Sequence, residues 1–399
     1  MLKLLEDLRN FELKFREEHL KFLKMAREFA EREVEEFSKE IEERGEIPER
    51  LLRRVGELGF FGITIPREFG GLGSDLLSLT LVLEEISKIS IAVGFMTLVP
   101  YLFTTPLTIF GSQKQKKEYL PMIASGRSYA AHAATEPTAG SDLSGIRTVA
   151  RPLGGEWIIE GVKRFVSCAK LADYFIVLAR VEEINADPRK QLTFFIVNRD
   201  AAGLDILNED ELIGIRGVTV GTLRLSKVPV PDENRLGSIG EGFKIALETY
   251  GRMRAPAAAL ALGDMEKLLT LSINYSLRRR AYGKSLADLQ AIQFKLADLF
   301  MTTITSKLLV YWAAETISRD PAMLGASSLA KLYASESLES MAIKAVEIYG
   351  GLGVTRKAGI ERFLRDSQIL KIIEGTSDIQ RILISRFLIN EFKRSAEKD

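Results

Sequence analysis

The stretch RDSQILKIIEGTSDIQR, residues 365 to 381, sets a single carboxylate, Glu374, between Ile372-Ile373 and Gly375-Thr376. A carboxylate crowded by apolar side chains loses water, and burial of the charged form raises its proton affinity. A general base needs that state to take a proton from a weak carbon acid. The same residues also fit a plainer reading. Glu374 would then be a surface acid beside a helix start, with Thr376 or Ser377 capping the helical SDIQRILISRFLINEF that follows. Other chemistries have few residues to draw on. One cysteine, Cys168, excludes an intrachain disulfide and most thiolate metal sites. Two histidines, His19 and His132, lie far apart in sequence, so neither a histidine metal cluster nor a Ser-His-Asp triad is expected. No metal is expected, and the chemistry falls to carboxylates or to a bound organic cofactor.

These residues need a scaffold, and 399 residues suffice for two or three domains around a large core. Charged residues make up 27% of the chain but leave a net charge of only +1, so no field for a nucleic acid or other polyanion is implied. The apolar runs are expected to fall short of the roughly 18 to 20 residues that a membrane span needs. The opening MLKLLEDLRNFELKFREEH mixes acids with bases and has no apolar h-region. Neither a signal nor a transit peptide is expected there, and the expected location is cytoplasmic.

The pattern along the chain changes twice. Residues 11 to about 125 read as helices: FREEHLKFLKMAREFAEREVEEFSKEIEERG has helical spacing and ends at Gly45 and Pro48. From 128 to 237 the chain turns to short β-rich runs, EWIIEGVKRFVS, DYFIVLARV, LTFFIVN and GTLRLSKVPV, separated by Gly, Pro and Asp as in an antiparallel β domain. Long helical segments return from about 240 onward, and no repeat or low-complexity tract interrupts them. The common nucleotide motifs are missing. RRRAYGKS ends like a phosphate loop but has Arg278 where that motif needs glycine, and no GxGxxG joins a strand to a helix.

Five separate stretches, in order, resemble the acyl-CoA dehydrogenases, and the likeness runs from about residue 18 to 393. GFFGITIPREFGGLG looks like the family's early loop, and AATEPTAGSDLSGIRT is similar to its TEPxAGSD signature. RRRAYGKSLADLQAIQFKLADL is similar to the RxxFGxxLxxxQ segment, EIYGGLGV to the QxxGGxG turn, and the stretch around Glu374 to the catalytic YEGTxxIQ motif. The resemblance implies an α+β fold: an N-terminal α-helical domain at 1–127, a central antiparallel β domain at 128–237 and a C-terminal four-helix bundle at 238–399. It also implies oxidation of an acyl-CoA to a trans-2-enoyl-CoA, with FAD accepting the β-hydride. Glu374 is then the base for the α-proton, and its own N–H helps bind the thioester oxygen. Ile372 and Ile373 would exclude water, and Gly375 would leave room for the substrate. Some relatives carry the base on an earlier helix, where this chain has Met253.

By the same resemblance Ala134, Thr135, Ser141, Phe165 and Ser167 fall on FAD-contacting positions. Arg279 would be offered to the pyrophosphate by a neighbouring subunit, and Tyr282 would pack by the adenosine. Gln290, Glu347, Gly350, Gly351, Thr376 and Asp378 complete the cofactor set. Glu347 stands where the family has glutamine and would set a carboxylate near phosphates unless Arg279 or a lysine compensates. Phe165 and Ile373 replace a tryptophan and a tyrosine. On the substrate side, Arg254 aligns with a CoA contact, and Phe95, Met96 and Val99 with the acyl tunnel, although these three also read as ordinary core. Val93 stands where a dicarboxylyl-specific relative has arginine. The implied partners are an electron-transfer flavoprotein and three further copies of the chain in a homotetramer. A flavin monooxygenase, a nitroalkane or acyl-CoA oxidase, and a non-catalytic FAD-binding scaffold remain alternatives.

Overall fold

The computed structural model describes residues 14 to 182 and 185 to 396. Most of the opening stretch read for a leader segment lies outside the described residues.

Helix α1 (Glu17–Phe29) runs through one π turn, Ala30–Val34, into α2 (Glu35–Arg44), which ends where Gly45 takes a left-handed φ of 72°. The charged sequence still makes a core helix because Phe22, Ala26 and Phe29 fall on one face. Helices α3 (Glu49–Glu57) and α4 (Leu76–Ser87) follow, and the Asp75 carboxylate caps α4 by accepting the Ser78 N–H at 2.9 Å. The expectation about apolar runs needs correction. Ile91–Phe110 is 20 residues long with a hydropathy of 1.5, long and apolar enough to cross a membrane by length and composition. In the fold it is two helices, α5 (Ile91–Leu98) and α6 (Tyr101–Phe110), split at Val99-Pro100, and 72% of it is buried inside the chain. Helix α7 (Gln113–Ala124) opens on a Ser112/Gln115 capping box.

Eight strands follow: β1 (Ala130–Ala133), β2 (Val149–Leu153), β3 (Glu156–Ser167), β4 (Tyr174–Arg180), β5 (Leu192–Asn198), β6 (Leu204–Glu211), β7 (Thr219–Pro231) and β8 (Arg235–Leu236). They form one sheet in the order β6-β7-β3-β2-β4-β5-β8, with β1 beside β4. The ladders are antiparallel except for β1 on β4, from Ala130↔Tyr174 to Ala133↔Val177, and a single β2–β4 pairing at Val149↔Arg180. Alternation within a strand reveals which face it buries, whereas these parallel contacts depend on partners far along the chain.

The C-terminal region holds α8 (Gly242–Arg278), α9 (Gln290–Arg319), α10 (Leu324–Tyr349), the short α11 (Arg362–Ile372) and α12 (Ser377–Ala396). The four long helices form the bundle, with α10 packed on α8, α9, α11 and α12. Helix α8 also joins the bundle to the N-terminal helices. A Cβ at Gly263 would lie 2.6 Å from the backbone of Ser87 and Lys88, so only glycine permits that approach. Between α8 and α9 a two-residue hairpin turns at Tyr282-Gly283, whose φ values of 52° and 79° suit a type I′ turn.

Candidate active site

Glu374 lies in the turn between α11 and α12. Helix α11 stops at Ile372, Ile373 is extended, and Glu374 and Gly375 then take φ values of 55° and 91°. Thr376 starts α12, its hydroxyl accepting the Ile379 N–H at 3.3 Å, so of the two caps open in the sequence Thr376 is the one used. A non-glycine residue in left-handed backbone costs about 1–3 kcal/mol and persists only where its surroundings hold it. Three buried side chains do so here. Arg254 Nε donates to the Glu374 carbonyl at 3.2 Å, and Gln380 Nε2 donates to the Glu374 and Gly375 carbonyls at 3.0 and 2.8 Å. Lys331 Nζ donates to the Gly375 carbonyl at 2.8 Å and to that of Lys371 at 3.1 Å. A Cβ at Gly375 would stand 2.8 Å from Gln380 Nε2. Within the chain, the room left by this glycine is filled by Gln380.

The electrostatics follow from burial. Glu374 is partly accessible as a residue, yet its Oε2 is lost to solvent and has no hydrogen-bond partner among the described residues. Burial pushes the carboxyl up to about 7, with Arg254 and then Lys331 pulling the other way. The expected role of the flanking isoleucines is only half met: Ile373 is half-buried, but Ile372 is 63% exposed and removes little water from the site. Burial also lowers Arg254, to about 10, and Lys331, to about 7. Tyr250, one turn before Arg254, meets His132 Nε2 at 2.7 Å, and burial drops that histidine to about 4, leaving it neutral. Met253 is buried with the Thr105 hydroxyl 3.8 Å from its sulfur. Arg254, expected as a CoA contact, is itself buried, and its guanidinium is committed to Glu374 and the Ser328 hydroxyl.

A second group forms at the edge of the sheet. The Arg164 N–H donates to the Thr135 carbonyl at 2.9 Å, which brings Ala134 and Thr135 beside Phe165 and Ser167. Strand β3 shifts register against β7 between Lys163 and Val166. At that bulge Phe165 has φ 57°, so its ring is turned outward and 54% exposed, while Ser167 is half-buried opposite Val220. Ser141 is exposed in the loop that follows β1.

The remaining candidates lie apart on the surface. Arg279 is exposed, Tyr282 is 93% exposed at the hairpin tip, and Gln290 is exposed at the start of α9. Gly350 and Gly351 form an open turn in which an added Cβ would meet nothing within 4 Å. Glu347 is paired with Lys295, so a lysine does compensate the carboxylate. Asp378 is exposed and paired with Arg381. Among the described residues no hydrogen bond links Arg279, Tyr282 or Gln290 to either group above. Phe95, Met96 and Val99 are buried in the main core, where the Met96 carbonyl accepts the Tyr129 hydroxyl at 2.7 Å.

Taken singly, an outward aromatic face suits a planar ring and an exposed arginine suits a phosphate, although these positions lie apart within one copy of the chain. The comparisons with known proteins agree. Family models match along nearly all of the chain: acyl-CoA dehydrogenase N-terminal domain at residues 16–127, middle domain at 131–228 and C-terminal domain at 240–389. The chain belongs to the acyl-CoA dehydrogenase family. It is 35% identical over 374 residues to an acyl-CoA dehydrogenase of Bacillus subtilis strain 168, covering 94% of this chain and 98% of that one. It is also 35% identical over 379 residues to the caffeyl-CoA reductase-Etf complex subunit CarC of Acetobacterium woodii, covering 94% and 100%. The butyryl-CoA dehydrogenase structure from Megasphaera elsdenii superposes with a TM-score of 0.92 at 31% identity, covering 95% of this chain and all of that one. The acyl-CoA dehydrogenase fold of helices, central sheet and helical bundle is thus the fold of this chain, and the protein is a flavoenzyme and oxidoreductase of that family.

Motif reading missed the residues that hold the site. Glu136 and Lys163 are ion-paired at 2.7 Å with neither exposed, and Lys163 Nζ also donates to the Ala134 carbonyl at 3.1 Å. Lys331 and Gln380 were not singled out either. One signal was available for Lys331: it shares a helix face with Ser327, Ala334, Ser335 and Leu338, all buried, so a lone lysine sits on the core stripe of α10.

Proposed function

We propose that this protein is an FAD-dependent acyl-CoA dehydrogenase that converts a saturated acyl-CoA thioester to the trans-2-enoyl-CoA. One observation carries the reading: the Glu374 carboxylate is desolvated, has an oxygen without a partner, and sits on a turn fixed through its own carbonyls. The α-proton of a thioester is too weakly acidic to leave readily to water, so a held, partly dry carboxylate near neutral pKa supplies the general base. Among the described residues the Glu374 N–H has no intrachain acceptor, so it can donate to the thioester oxygen as enolate charge develops. FAD, when bound, supplies the acceptor for the β-hydride. In this reading Ala134, Thr135, Ser141, Phe165 and Ser167 hold its flavin end, and the Gly350-Gly351 turn, Gln290, Thr376 and Asp378 border the rest.

Arg279 and Tyr282 fit a site completed by a second copy of the chain, since Tyr282 stands exposed at the hairpin tip and Arg279 is exposed at the end of α8 just before it. Helix α9 also leaves Phe294, Phe300, Met301, Ile304 and Leu308 exposed. An apolar face of that kind supports the homotetramer. A stable monomer with full FAD occupancy in sedimentation would remove the shared site. The electron acceptor that we assign is an electron-transfer flavoprotein, in keeping with the Etf complex named for the Acetobacterium relative. Buried Phe95, Met96, Val99 and Val93 favour an apolar acyl chain over a dicarboxylyl one.

The same relative is named a reductase, and this gives a second reading in which Glu374 returns a proton to the α-carbon of an enoyl-CoA. Anaerobic titration of the yellow holoprotein separates the two. Bleaching by a saturated acyl-CoA of one chain length supports the dehydrogenase. Reoxidation of the pre-reduced protein by enoyl-CoAs, without bleaching by any saturated thioester, supports the reductase. No response to either overturns both readings and leaves another flavin chemistry or a binding scaffold.

A further inference from the structure

We propose that Lys331 is a positioning residue for the base. Its buried ammonium grips the Gly375 carbonyl and the end of α11, holding Glu374 in its left-handed turn and keeping the carboxylate ionisable. The inference rests on Glu374 being the base, the reading proposed above. Lys331 is inaccessible to solvent on the inner face of α10 and is the only cation that donates to both sides of the turn among the described residues, to Lys371 in α11 at 3.1 Å and to Gly375 at 2.8 Å. A lysine on a core stripe carries a large desolvation cost unless its donors and its charge are used. Its donors are used by two carbonyls. Its charge has no carboxylate within ion-pair reach among the described residues, so Glu374 and Glu336 act on it only at longer range.

Arg254 from α8 shares the task. It holds the other carbonyl, that of Glu374 itself, and its second contact is the neutral Ser328 hydroxyl. Gln380 from α12 holds both carbonyls without a charge. The three donors therefore divide the work. Gln380 fixes geometry alone, whereas Arg254 and Lys331 fix geometry and also supply positive potential where the carboxylate must ionise. The titratable groups that act on Glu374 are Arg254 and Lys331, and it in turn acts on Tyr250. Those that act on Lys331 are Glu374, Arg254 and Glu336, the last also paired with Arg381. Burial opposes ionisation of Glu374, and Lys331, itself lowered by burial to about 7, offsets part of that cost while it keeps its proton, so removing the charge raises the pH at which the base becomes competent.

The test compares wild type with Lys331→Gln, which keeps a carbonyl donor and loses the charge, and with Lys331→Arg, which keeps the charge. Two readouts are taken on the holoprotein. One is infrared titration of the protonated Glu374 carboxyl, assigned by its loss in Glu374→Gln, and the other is the pH profile of anaerobic flavin reduction by acyl-CoA. The proposal expects K331Q to move the infrared midpoint up by about one unit, within the range for loss of a nearby opposite charge. Flavin reduction should then be slowed roughly tenfold below the midpoint and recover as pH rises. K331R should keep the wild-type midpoint. A purely structural role predicts a loss that does not depend on pH, and an unshifted K331Q midpoint overturns the proposal. If K331Q does not fold, K331R decides: a folded arginine variant with a displaced midpoint contradicts the proposal, and an undisplaced one supports it. Failure of the underlying reading looks different, because Glu374→Gln would then reduce its flavin normally whatever happens at Lys331.

Discussion

Lys163 and Glu136, both buried, form an ion pair at 2.7 Å beneath the turn that carries Ala134 and Thr135. Both members make further hydrogen bonds. The lysine also holds the Ala134 carbonyl, and the carboxylate accepts the Arg147 and Thr148 N–H groups at 2.7 and 2.9 Å. Two opposite charges that are paired and further hydrogen-bonded can be kept inside a protein, but one charge left alone cannot be kept cheaply. Lys163→Met is therefore expected to cost about 3–5 kcal/mol in denaturant unfolding and to lower flavin content. The Lys163→Met/Glu136→Gln double variant should lose less than the sum of the single changes. Additive losses would mean that the two side chains do not act as a pair.

The Glu347–Lys295 pair should behave in the opposite way. It is half-exposed, so breaking it is expected to change stability by no more than about 1 kcal/mol. Its effect should appear in cofactor retention. Lys295→Met leaves the Glu347 carboxylate uncompensated near the glycine turn and should weaken FAD binding, and adding Glu347→Gln should restore it. Equilibrium dialysis of FAD against the three proteins checks this, and equal retention by all three would remove Glu347 from the cofactor set.

Phe165 has an exposed ring and a strained backbone. Phe165→Ala should leave the unfolding midpoint of the apoprotein nearly unchanged while lowering flavin retention. Ser167→Ala, next on the same strand face, should remove one hydrogen bond to the flavin worth roughly 0.5–1.5 kcal/mol and alter the flavin absorption spectrum. If both variants retain flavin with the wild-type spectrum, these two residues are ordinary strand positions.

Much of this was legible in the sequence, and the exceptions share a physical cause. Helical spacing around Phe22, Ala26 and Phe29 and the switch to short β-rich runs are local signals, and the helices and strands lie where those signals fall. Glu374 and the glycine pair stood out because motifs mark them. The parallel β1–β4 contact and the hold that Lys331 keeps on Gly375, 44 residues away, depend on tertiary neighbours that no local pattern encodes. Ile372 misled for a related reason: an apolar residue beside the base in sequence points to solvent in the fold. The break at Val99-Pro100 is visible in the sequence, but that this apolar run packs inside the chain is a property of the whole fold.

The raised Glu374 carboxyl sets a pH dependence. Below about 7 the group holds its proton and cannot accept another, and above it the carboxylate is free to act. The rate of flavin reduction by acyl-CoA in a single turnover should therefore rise with pH through that region and level off on the alkaline side. A profile that is flat from pH 5.5 to 8.5 would show that no group of this kind controls the step.

Glu374→Gln tests the central claim most directly. It keeps the size and polarity of the side chain and the carbonyl held by Arg254 and Gln380, and removes only the ability to take a proton. The holoprotein should still bind FAD and acyl-CoA, and stopped-flow mixing under anaerobic conditions should show flavin reduction slowed by at least about 10²-fold, the usual effect of losing a general base. Reduction at a near-normal rate, with or without a change in stability, would contradict the account and return Glu374 to a structural role at the start of α12.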